Sequence, residues 1–218
     1  MRYQLVILAG VLSSFALAVQ EPDAVPIRTE GVWIWGSGET ESVNERRYFR
    51  GNLVFQSPPR VALLRVSADT RYSLWVNGVF IAAGPVRGGA GEYAPDRHEV
   101  GRHLRAGTNT IAVLVNHAGG VGGSVSGDRG GLFVQVDWLE NGHRRSFISS
   151  EGWKSTEARE WNRQVPPLPG GAGYFEFYDA RKAVSAAWTA TGFDDSGWDD
   201  ANPVTSPPFP LQSGSSRP

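Results

Sequence analysis

The stretch "VSADTRYSLWVNGVFIAAGP", Val66–Pro85, decides the fold. Apolar and polar residues alternate up to Asn77-Gly78 and alternate again after it. Successive side chains of a strand point to opposite faces, so this alternation marks two half-buried strands. Asn-Gly suits the two-residue type I′ turn, because both of its central positions need φ > 0. The stretch therefore reads as a hairpin with strands at 71–76 and 79–83. Alternation turns Tyr72, Leu74 and Val76 toward a core and sets Arg71, Ser73 and Trp75 on the opposite face.

The same logic extends outward. Residues 31–35 form a short first strand, and 46–55 alternates until Pro58-Pro59 stops it. In that second strand Tyr48, Asn52 and Val54 share one face, and Phe49, Leu53 and Phe55 share the other. Residues 60–68 are rich in Val and Leu, and 110–117 is almost continuously apolar, as expected of a strand buried on both faces. A second hairpin, 132–140 and 143–149, turns at Asn141-Gly142. A short helical turn is expected near 100–104 and a late strand at 174–178. Gly-rich loops cover 84–91 and 119–131, and no long amphipathic helical pattern is present. The expected fold is all-β, an antiparallel β-sandwich with little helix.

Composition narrows the function. Net charge is −1 with both signs interspersed, which argues against a nucleic-acid-binding face. Without cysteine the chain has no disulfide, thiolate zinc site or Cys-linked lipid anchor. Eight Trp and 27 Gly suit short strands, tight turns and broad aromatic surfaces of the kind that contact sugars. Arg2, the apolar run 5–18 and the small-residue pattern Ala16-Leu17-Ala18 read as a signal peptide over 1–18. That run is shorter than the about 20 apolar residues a membrane span needs. The expected location is periplasmic or extracellular in a bacterium, with no membrane attachment after cleavage. A lead-in at 19–30, a β-sandwich at 31–202 and a Pro/Ser-rich tail at 203–218 complete the division.

Catalytic and metal chemistry find little support. Ser124 lies in Gly-Gly-Ser-Val-Ser, which lacks the last glycine of a nucleophile elbow. His98, His103, His117 and His143 show no metal-ligand spacing. The acidic run 194–200 lacks the alternation and late Glu of a calcium loop and reads as a turn over Phe193 and Trp198. No cofactor or metal is assigned. Glycoside hydrolysis needs two carboxyl groups about 5–10 Å apart. Asp69, Glu92, Asp96 and Asp128 are the candidates, each read first as a solvated turn carboxylate. Sugar binding asks for an aromatic platform and a few fixed polar groups. Trp75, Asn77, Arg87, Tyr93 and Asn116 are the candidates for binding sugar or for contacting another domain.

A family resemblance follows from the phrases "RRYFRGNLVF", "VALLRVSADTRYSLWVNGVFIAAGPVR", "HLRAGTNTIAVLVNHAG", "GGLFVQVDW", "GYFEFYDAR" and "GFDDSGWDDA", in that order. Together, over about Trp33 to Pro208, they resemble the N-terminal β-sandwich module of bacterial α-L-rhamnosidases, glycoside hydrolase family 78. The wider group is the galactose-binding-like jelly roll, which also serves family 2 β-galactosidase-type enzymes. The resemblance implies inverting hydrolysis of terminal α-L-rhamnose by acidic residues of an (α/α)6 barrel that follows such modules. No catalytic residue carries over onto this sequence. The expectation is a non-catalytic carbohydrate-associated module, a fragment lacking its barrel. Its expected partners are a rhamnose-containing glycan and a missing or separate catalytic domain. A free-standing lectin-like domain and a purely structural packing module are the alternatives.

Overall fold

The computed structural model describes residues 28–36, 42–85, 95–119, 129–171 and 173–205. The expected signal peptide, most of the lead-in, the end of the tail, Arg87, Glu92, Tyr93, Ser124 and Asp128 lie outside the described residues. Two antiparallel sheets of six strands form a jelly-roll sandwich. The strands are β1 (Ile34–Trp35), β2 (Glu45–Phe55), β3 (Ala62–Asp69), β4 (Arg71–Val76), β5 (Val79–Gly84) and β6 (Asp96–Glu99). After them come β7 (Gly107–His117), β8 (Gly131–Glu140), β9 (His143–Ile148), β10 (Lys154–Glu157), β11 (Asp199–Asp200) and β12 (Asn202–Pro203). One sheet runs β12-β1-β8-β3-β6, with β9 also on β8; the other runs β11-β10-β2-β7-β4-β5. Only short 3-10 turns interrupt them among the described residues, one at Gly101–His103.

Alternation places the core. Phe49, Leu53 and Phe55 of β2, Tyr72, Leu74 and Val76 of β4, and Leu64 and Val66 of β3 all point between the sheets. Ile111, Val113 and Val115 of β7 join them while Ala112 is buried on the opposite face, so the continuous apolar run has cover on both sides. Both Asn-Gly turns take the positive φ they were read to need: Asn77 51° and Gly78 84°, then Asn141 53° and Gly142 77°.

Two segments differ from the sequence reading. Tyr174 and Tyr178 make only isolated bridges, to Pro167 and Trp161, instead of a strand. The facing segment contains Pro166 and Pro167, which lack the N–H that a continuous ladder requires. Asp69 is fully buried, its carboxylate 2.8 Å from His117 Nδ1, rather than solvated in a turn. A buried partner on the neighbouring sheet satisfies it there.

The chain from 158 to 200 folds back over the outer face of the β2/β7/β4 sheet. Trp188 packs on Tyr48 with ring centroids 4.5 Å apart, and Trp198 on Tyr48 at 6.0 Å. Ala158, Trp161, Phe193 and Leu114 complete this second apolar layer. Asp195, from the acidic run, is held 2.7 Å from Arg50, and Asp200 2.7 Å from Lys154.

Candidate functional site

Register builds the site. Arg46 on β2 pairs with Asn116 on β7, and Asn116 pairs with Arg71 on β4. The three side chains therefore stand in a row across the outer face of one sheet, at the end where β2 and β4 begin and β7 ends. In the next row inward, Tyr48 and Leu114 pack with the Trp188 layer, whereas Ser73, and Leu114 in part, still line the groove. The folded-back segment thus covers the middle of the sheet and buries Arg46, and it leaves Asn116 and Arg71 open to a groove.

The opening is a groove of about 490 Å³ lined by Arg46, Thr70, Arg71, Ser73, Asn116 and Glu176, with Gly84-Pro85 along one side. Arg46 bonds Glu176 at 2.5 Å and lies over the Trp161 ring, 4.0 Å from its centroid. Burial lowers the Arg46 pKa from its ordinary value, and Glu176 opposes that shift. Arg71 is exposed and has no ion-pair partner among the described residues. The Asn116 side chain makes no hydrogen bond among the described residues, and its Oδ1 is buried without a donor.

A second depression, about 750 Å³, adjoins the first at the Arg46–Trp161 stack. Glu157, Glu160, Trp161, Arg163, Phe177 and Lys182 line it. The buried Glu160 accepts a hydrogen bond from the Tyr48 hydroxyl, while its Oε2 has no partner among the described residues. Burial, with the hydrogen bond to Glu160 second, pushes the Tyr48 phenol above its usual range. Phe175, Phe177 and Tyr178 are exposed.

The candidate residues read from sequence separate in space. Asn116 lines the groove. Trp75 is half-buried between Phe80, at 5.6 Å, and Trp188, at 5.2 Å. Asn77 sits in its turn, donating to His103 O (2.8 Å) and Asn109 Oδ1 (2.7 Å) and accepting from Thr110 N (2.9 Å) and Thr191 Oγ1 (3.0 Å). Arg46, Arg71 and Glu176 were not singled out. Strand parity already put Arg71 on the outer face, but only the pairing of β2, β7 and β4 aligns it with Arg46 and Asn116.

A model of the "Alpha-L-rhamnosidase N-terminal domain" matches residues 57–218. The structure of a GH78 family rhamnosidase from Bacillus sp. GL1 is 34% identical, with a TM-score of 0.74 over 85% of this chain and 20% of that one. The α-L-rhamnosidase of Dictyoglumus thermophilum is 21% identical, with a TM-score of 0.66 over 87% of this chain and 22% of that one. A lectin from Pleurotus ostreatus is 18% identical, with a TM-score of 0.52 over 85% of this chain and 48% of that one. The last two share the fold. No curated protein matches the chain. The chain spans about a fifth of the length of the rhamnosidases it resembles. With a family match over most of its length and 34% identity to a GH78 enzyme across the aligned residues, the chain belongs to the α-L-rhamnosidase N-terminal domain family.

Proposed function

We propose that this β-sandwich is a non-catalytic accessory module of an α-L-rhamnosidase-type glycoside hydrolase, and that it holds carbohydrate in the groove at Arg46, Asn116 and Arg71. The observation that carries the reading is that row of three polar side chains along one groove, Arg46 buried against Trp161 and Glu176, with Asn116 and Arg71 more open, beside an apolar layer over the middle of the sheet. Sugar recognition needs fixed donors and acceptors in a concave, largely pre-formed site. Arg46 is fixed by Glu176 and Trp161, and Asn116 and Arg71 project from paired strands. Among the described residues the groove has one carboxylate, Glu176, which is held by Arg46, whereas a glycosidase uses two carboxyl groups. Family membership and the lectin's shared fold support the same class of ligand.

Calorimetric titration of the chain with L-rhamnose and with rhamnose-containing oligosaccharides tests this. Saturable binding is the expected result; no heat with any sugar rejects the reading. Release of rhamnose from an aryl rhamnoside by the purified chain would reject the non-catalytic part.

A second reading, a packing module for a catalytic domain, is favoured by the exposed Phe175, Phe177 and Tyr178. Tighter binding to a separately expressed rhamnosidase barrel than to any sugar would select it.

A further inference from the structure

Among the described residues the groove's charge does not balance. Arg46 is paired with Glu176 at 2.5 Å, whereas the Arg71 guanidinium is exposed in the same groove and has no carboxylate partner among the described residues. The other described lining residues, Thr70, Tyr72, Ser73, Leu114 and Asn116 among them, are neutral. Among the described residues, one uncompensated positive charge thus sits in a concave site on a chain whose net charge is −1. Beside it stands an amide that no described group satisfies; its Oδ1 is buried, which leaves the amide nitrogen as the end that meets the groove. An open guanidinium and an unpaired amide donor together ask for an acceptor-rich anion, and a planar carboxylate matches the guanidinium fork.

We infer that the groove selects an acidic sugar, a uronic-acid unit whose carboxylate pairs with Arg71 while its ring hydroxyls and ring oxygen meet Asn116, Ser73 and the Arg46–Glu176 pair. The inference rests on the carbohydrate reading above and narrows it to glycans that carry uronate. A neutral sugar would leave Arg71 unpaired. Glu176 would repel an acid that approached Arg46, so the carboxylate is directed to the Arg71 side of the groove.

The test is a titration of the full chain with D-glucuronic acid, D-galacturonic acid, their methyl esters, L-rhamnose and inorganic phosphate, at low and at physiological salt. The expected result is at least ten-fold tighter binding of an acid than of its ester, with the gap narrowing as salt rises. Arg71→Gln should abolish the preference for the acid, and Arg145→Gln, on the far side of the sandwich, should leave it intact. If L-rhamnose binds but acids bind no better than esters, the inference fails and the carbohydrate reading stands. If phosphate binds as tightly as the uronates, the groove is a general anion site and the inference fails. If none of the sugars binds, both fail.

Discussion

Individual residues carry much of the stability through satisfied burial rather than through charge count. Asp137 is 1% exposed and accepts from Arg65 (2.9 Å), Arg144 (2.8 Å), Ser146 Oγ (2.6 Å) and Gln135 (2.9 Å). Gln135 in turn accepts from the backbone N–H groups of Glu30 and Gly31, pinning the first described residues onto the sheet. Asp137→Ala would leave the buried Arg65 without its counter-charge, and urea denaturation should show a loss of about 3–5 kcal/mol. Two phenols give a pH test. Burial first, then a hydrogen bond to Glu160 for Tyr48 and to Asp96 for Tyr72, raises both pKa values above the ordinary one. Unfolded tyrosine loses its proton near about pH 10, whereas the folded protein keeps these two protonated. Their contribution is therefore fully present below about pH 10 and declines as pH rises above it. Of the chain's six tyrosines, these two should show tyrosinate absorbance only as the protein unfolds in alkali. Early ionisation of all six in the folded protein would contradict the assignment. Neither phenol's environment was legible in the sequence beyond the parity that turned Tyr72 inward, because Asp96 and Glu160 reach them only across the fold.

At the scale of elements, legibility followed local chemistry. The β4–β5 and β8–β9 hairpins were readable because Asn77-Gly78 and Asn141-Gly142 supply positive φ at the turns and alternation fixes the faces on either side. β10, β11 and β12 were not, since Lys154–Glu157 and the two-residue strands carry no apolar alternation and exist only through pairing with β2, β10 and β1. The segment that closes the sheet is likewise non-local: its Trp188 is 6% exposed only because Tyr48 and Trp75 lie under it. Trp188→Ala should cost about 3–5 kcal/mol by denaturant melt, and limited proteolysis should then cut first between 158 and 200. Gly51 on β2 faces Trp153 so closely that a Cβ would run into the indole. Gly51→Ala should lower stability by about 1–3 kcal/mol, the usual penalty for overpacking a filled core, and an unchanged melting curve would show that the Trp153 pocket is looser than this packing.

The whole molecule is a sandwich whose two faces have different jobs. Between the sheets lies a conventional apolar core; outside one sheet, residues 158–200 lay down a second apolar layer that reaches Arg46 through Trp161 and Glu176 and leaves Asn116 and Arg71 on the groove. The fold class and the family phrases were legible in the sequence because alternation, turn residues and phrase order are local or sequential properties. The groove was not, since its three principal residues come from strands far apart in the chain and meet only through register. Asn116 was in view, but without Arg46 and Arg71 beside it nothing distinguished it from an ordinary strand residue. The most direct measurement of the central claim is residue-assigned NMR of the chain titrated with L-rhamnose and D-glucuronic acid. The account predicts saturable shifts concentrated at the amides of Arg46, Arg71, Ser73, Asn116 and Glu176. Shifts absent for both sugars, or clustered away from this row, would contradict it.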